Sequence, residues 1–200
     1  MKNSAPQTIQ LSDYRAPDFR VSTIELRFDL HEEYVHVDSK MALQNSAGAK
    51  EIHLDGEKLE LRYLKMDGRP LAEGEYQITE TELRIPNAPA GAFTLEIGTK
   101  IKPQENLTLE GLYKSEGMFC TQCEAQGFRK ITYYPDRPDV MAIFTTVIEA
   151  DKARYPILLS NGNLLEKKDL GNGRHEARWK DPFKKPAYLY ALVAGNLGMV

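Results

Sequence analysis

The stretch Ile24-Glu25-Leu26-Arg27-Phe28-Asp29-Leu30 alternates apolar and charged residues without a break. Successive side chains of a strand point to opposite faces, so this pattern builds one apolar face and one wet face at period two. Working outward, the same alternation returns in Leu59, Leu61 and Tyr63, and in Phe93, Leu95, Ile97 and Ile101. The pairs Asp55-Gly56, Asp67-Gly68, Asn161-Gly162 and Asn172-Gly173 suit tight turns, because these residue types accept positive φ. Hairpins are the natural connection. The run from Val140 to Ile148 is largely apolar on both faces, as a doubly covered central strand would be. No helical stripe of twelve or more residues occurs, nor any repeat. The fold class is therefore all-β, of antiparallel and mixed strands joined by hairpins, and the length and turn spacing fit either a β-sandwich or a curved, saddle-like pair of sheets.

Domain limits follow from the same pattern. Residues 1–18 carry Pro6 and Pro17 and no periodicity, and read as an extended N-terminal arm. Residues 19–195 form a single β-domain. The run from Tyr188 to Gly195 reads as a buried strand, and so apolar an ending suggests a segment of something larger, with 196–200 the start of a linker.

The bulk properties exclude several partners. With 26 basic and 29 acidic side chains and a net charge of −3, no run could neutralise a row of phosphates, so nucleic acid is not a partner. No apolar stretch approaches the roughly 18 residues of a membrane span, and the polar start lacks a signal peptide's apolar core. Membrane association is not expected, and the cytoplasm is the expected compartment. Asn106-Leu107-Thr108 fits the glycosylation pattern by coincidence on this reading.

Histidines offer little chemistry. His31 and His36 superficially resemble a zinc-protease helix, but at i+5 the two imidazoles of a helix would diverge by about 140°, and their surroundings read as a hairpin. His53 and His175 lie in strand-like segments with charged neighbours. Cys120-Thr121-Gln122-Cys123 has the spacing of a zinc knuckle or a thiol redox site, yet two thiolates make half a structural zinc site and no second pair completes it.

That segment matters for a different reason. Thr121-Gln122-Cys123-Glu124-Ala125, followed by Arg129 and the turn Asp136-Arg137-Pro138, resembles the aminopeptidase N family of zinc peptidases. Further likenesses to its bacterial branch are Tyr14-Arg15-Ala16-Pro17-Asp18-Phe19, Leu159-Ser160-Asn161-Gly162-Asn163 and Ala191-Leu192-Val193-Ala194-Gly195.

The resemblance implies the first domain of such an enzyme, a β-saddle packed on a thermolysin-like catalytic domain. It implies that Gln122 and Glu124 bind the free α-amine of a peptide's N-terminus. Arg129 and the Asp136 turn would fix the loop that presents them. The parent's zinc helix, its Gly-Ala-Met-Glu-Asn loop and its transition-state tyrosine do not occur in these 200 residues. The chain therefore carries no catalytic residue and no metal ligand of its own; zinc belongs to the parent enzyme, and this segment alone should be inactive. Its partners would be its own catalytic domain and peptide N-termini. The alternative is a stand-alone β-sandwich binding module with a thiol or metal site at Cys120 and Cys123.

Overall fold

A computed structural model describes residues 10–198. The first nine residues of the expected arm, and Met199 and Val200, lie outside the described residues. Fifteen strands run in chain order: β1 (Phe19–Leu30), β2 (Val35–Asn45), β3 (Glu51–Asp55), β4 (Glu60–Met66), β5 (Arg69–Pro70), β6 (Gln77–Ile78), β7 (Glu82–Pro86), β8 (Gly91–Ile101), β9 (Gly111–Ser115), β10 (Met118–Gln122), β11 (Met141–Asp151), β12 (Ile157–Ser160), β13 (Asn163–Gly171), β14 (Arg174–Pro186) and β15 (Leu192–Gly195). Helix is confined to short 3-10 turns among the described residues. The all-β sandwich stands.

The large sheet has the order β13-β14-β11-β1-β2-β8-β4-β5. Its pairings are antiparallel except for β1 with β11, which run parallel with Thr23 opposite Ile143. A four-stranded sheet, β12-β15-β10-β9, and a three-stranded one, β3-β7-β6, complete the architecture. Apolar residues of all three sheets join one core: Ile24, Leu26 and Phe28 of β1, Leu54 of β3 and Phe119 of β10 are all buried. The alternation begun at Ile24 is the inner face of β1. A bulge at Ser22 sets its phase, since the pairing with β2 shifts between Val21 and Thr23.

Several expectations need correction. Tyr63 does not continue the apolar face of Leu61. A bulge at Arg62 places Leu61 opposite Thr99 and Tyr63 opposite Gly98, so Leu64 takes the inward position. The Tyr63 ring covers Gly98, where a Cβ would fall 2.2 Å from it, and its hydroxyl donates to Asp38 at 3.0 Å. β11 is central, but only one face is fully buried, at Ala142, Phe144, Thr146 and Ile148. Asn172-Gly173 closes the β13–β14 hairpin with φ of 50° and 76°, and Asp67-Gly68 joins β4 to β5 with 48° and 79°.

The other two pairs are not hairpin turns. Asp55-Gly56 leaves the three-stranded sheet for the large one, and Asn161-Gly162 carries the chain from the four-stranded sheet to the large one. Of the run from Tyr188 to Gly195, only Leu192–Gly195 is strand; Ala187–Leu189 is a 3-10 turn and Leu189 is exposed. Asn161 explains the break, because its amide donates to Leu189 O at 3.1 Å and accepts from Ala191 N at 2.7 Å.

Candidate functional site

Gln122 is the last residue of β10, paired with Gly111 of β9, and both Gln122 and Glu124 are exposed. The β9–β10 hairpin turns at Glu116-Gly117, with φ of 49° and 81°, a tight-turn signal the sequence reading missed. Beyond β10 the chain makes a short loop. Gly127 N donates back to Cys123 O at 2.8 Å, and a Cβ at Gly127 would lie 2.3 Å from Gln122 O. A side chain there would push the loop off the strand end. The Glu124-Ala125 peptide bond is cis.

The base of the loop is buried. Phe128 is wholly enclosed, with ring centroids 5.1 Å from Tyr134, 5.4 Å from Tyr190 and 5.9 Å from Phe144. Such aromatic contacts add to the burial itself. Arg129 binds Asp136 three ways: backbone N at 3.2 Å and Nε at 3.1 Å donate to Oδ2, and Nη2 donates to the backbone O at 3.1 Å. Asp136 N in turn donates to Asp55 Oδ2 at 3.0 Å, and Asp55 lies 3.4 Å from Arg129 Nη1. Burial lifts the Asp136 carboxyl above its ordinary pKa range, against the opposing pull of the Arg129 contacts. The Arg129 and Asp136 sites thus meet in one part-buried network beneath the loop.

The tip differs. Gln122 Nε2 donates to Glu124 O at 3.4 Å, leaving its amide oxygen free to accept. Among the described residues the Glu124 carboxylate has no ion-pair partner.

One thiol precedes this tip and the other lies within it, and neither shares its exposure. Cys120 sits within β10 between Tyr113 and Val193 and is half-buried; Cys123 is buried. Burial raises both thiol pKa values, and at Cys123 the Asp136 charge adds to it, which disfavours the thiolate that redox or metal chemistry uses. Among the described residues no three His, Cys, Asp or Glu side chains come together as a metal would need. His31 and His36 lie either side of the β1–β2 hairpin loop, each ring 4.7 Å from Tyr34. His53 is exposed beside Glu51 and Glu82, and the His175 ring nitrogen Nε2 lies 2.8 Å from Tyr155 O.

A second network escaped the sequence reading, because its members are far apart in the chain. Glu32 accepts from Tyr155 Oη at 2.6 Å and Lys114 Nζ at 2.9 Å, with Arg154 Nη1 at 3.1 Å. It ties the β1–β2 loop to β9, the neighbour of β10. No helix among the described residues is long and apolar enough to cross a membrane.

The profile of the Peptidase M1 N-terminal domain matches residues 12–189. The chain is 48% identical to aminopeptidase N of Caulobacter vibrioides over 201 aligned positions, covering all of this chain and 23% of that protein. To aminopeptidase N of Escherichia coli it is 47% identical, over 98% of this chain and 22% of that protein. Among solved structures, aminopeptidase A of Legionella pneumophila in complex with aspartic acid superposes with a TM-score of 0.91 at 39% identity, over 95% of this chain and 23% of that one. An M1 zinc metallopeptidase of Deinococcus radiodurans shares the fold, with a TM-score of 0.77 at 15% identity over 89% of this chain and 42% of that one. The chain spans less than a quarter of the length of the two aminopeptidases N.

Proposed function

The chain belongs to the Peptidase M1 N-terminal domain family, and from that premise we propose that it is the amine-recognising β-domain of a longer, cytoplasmic zinc aminopeptidase that removes N-terminal residues from peptides. The observation that carries the reading is the exposed pair Gln122 and Glu124 on a tip whose base is locked by Phe128, Arg129 and Asp136.

The residue types suit the task. An α-amine has a pKa of about 8 and is largely protonated at neutral pH, so a carboxylate accepts a charge-assisted hydrogen bond from it. The Gln122 amide oxygen accepts a second without adding charge. An internal or blocked amide nitrogen would leave Glu124 without its cation once the site is covered, at a cost of several kcal/mol. Discrimination for peptide ends follows.

Hydrolysis itself needs an activated water, which zinc held by a catalytic domain outside this chain would supply. The 200-residue chain is accordingly proposed to be inactive alone and to work against that domain. A half-buried Cys120 and a buried Cys123, both with raised thiol pKa values, give the thiol or metal module no support.

Glu124→Gln in the full-length enzyme should lower kcat/KM by on the order of 10²-fold or more, since a contact that orients the substrate in the transition state is lost. Steady-state kinetics on an unblocked peptide measure it, and a wild-type value overturns the assignment.

A further inference from the structure

Residues 106–110, just before β9, form a loop organised by one side chain. Asn106 Nδ2 donates to Glu110 O at 2.7 Å and to Leu112 O at 2.9 Å, while its Oδ1 accepts from Thr108 N at 3.2 Å and Thr108 Oγ1 at 2.9 Å. The amide that fits a glycosylation pattern is thus committed to folding the loop. Against that order, the loop turns its two leucines outward: Leu107 is 89% and Leu109 54% exposed. Leu109 has φ of 57°, a left-handed conformation unfavourable for a branched apolar residue. Of the non-glycine residues with positive φ it is the one apolar side chain among the described residues. A loop this well tied, holding leucines in water at a conformational cost, has the features of a preformed contact.

Its position says what it contacts. Gly111 pairs with Gln122, a Cβ on Gly111 would lie 2.9 Å from Gly127 O, and Glu110 forms an ion pair with Lys130. The loop therefore borders the tip that carries Glu124. A body that receives the side chains of Gln122 and Glu124 therefore approaches this end of the four-stranded sheet, beside the loop that carries the leucines.

We propose that Leu107 and Leu109 are positioning residues: they seat against the catalytic portion of the longer protein and set the depth at which Gln122 and Glu124 enter it. This rests on the amine-recognition reading for its purpose but not for its contact. The relatives supply the occupant: the chain covers less than a quarter of the length of the two aminopeptidases N, so most of their length lies outside it.

Asparagine tolerates the left-handed region, so the test is Leu107→Asn with Leu109→Asn, made both in the 200-residue chain and in the full-length enzyme. The chain should keep or raise its melting temperature. The enzyme should lose about tenfold in kcat/KM, chiefly in kcat, as small misplacement does. The loss should be equal for peptides with large and small first residues, and Leu109→Met should restore most of the activity lost by Leu109→Asn. Wild-type kinetics overturn the proposal. So does a fall in the melting temperature of the chain, which would make the leucines part of its own fold. A loss confined to peptides with large apolar first residues overturns it in favour of a substrate pocket. A concentration-dependent dimer of the chain, abolished by the substitutions, overturns it in favour of self-association. Glu124→Gln run in parallel separates the two readings: normal kinetics there with a loss in the leucine variant would sink amine recognition and leave the docking contact standing.

Discussion

The tip at residues 122–126 and the base at 128–136 belong to one segment of chain and obey opposite rules. In the base, Phe128 is enclosed by three rings, and Arg129 spends its guanidinium on Asp136 and Asp55. In the tip, four of the five side chains are exposed and only Cys123 is buried. The contrast separates a packed base from an open tip. Packing and pairing are concentrated at 128–136, whereas the Gln122 side chain bonds only the Glu124 backbone and, among the described residues, the Glu124 carboxylate has no ion-pair partner.

The sharpest way to break this comparison is to truncate both halves. Phe128→Ala removes a fully packed ring and should destabilise the chain by about 3–5 kcal/mol, a large share of a domain's total stability. Glu124→Ala should change stability by less than about 0.5 kcal/mol. Urea unfolding measures both, and comparable losses at the two sites would erase the distinction.

The next effect is electrostatic. Arg129→Ala strands the Asp136 carboxyl, whose side chain is 3% exposed, and should cost about 3 kcal/mol. Adding Asp136→Asn should recover part of that loss in the same unfolding experiment. No recovery would mean that Arg129 acts through packing alone.

The smallest effect sharpens the comparison from outside, at the network that braces β9. Burial would raise the Glu32 pKa, but hydrogen bonds from Tyr155 and Lys114 and the charges of Lys114 and Arg154 outweigh it and bring it down to about 2. A carboxyl whose folded pKa is depressed contributes stability above its unfolded value of 4.5, and that contribution is lost as pH falls from there towards 2. Glu32→Gln should flatten this acid limb. Because the group is 45% exposed, solvent screening keeps the change under about 1 kcal/mol. An unchanged limb in thermal melts across this pH range would remove Glu32 from the bracing role.

Much of the scaffold was legible because burial in a half-wet sheet leaves period two in the sequence. Ile24, Leu26 and Phe28 report their own face, as do Phe93, Leu95 and Ile97. Bulges erased that legibility. At Arg62 one extra residue reversed the facing of Tyr63, and no local pattern announces such an insertion. Turn pairs told that the chain reverses but not which sheet it enters next, so Asp55-Gly56 and Asn161-Gly162 read like Asn172-Gly173.

The candidate site was legible only through its motif. Exposure of Glu124 follows from a loop closed by Gly127 on Gln122, and the Arg129–Asp136 contacts depend on a seven-residue return that composition does not reveal. The Glu32 cluster joins positions 32, 114, 154 and 155, and tertiary contact is its only signature.

The parallel pairing of β1 with β11 has a consequence for how this chain comes into being. Thr23 waits for Ile143, 120 positions later, and at roughly 5–20 residues per second a ribosome needs on the order of 6–24 s to deliver it. During that interval the β1–β2 hairpin can form, but the β1 edge stays open and its apolar face uncovered. Nascent chains stalled before β11 emerges should therefore be the species that chaperones capture, and release should coincide with the arrival of that strand.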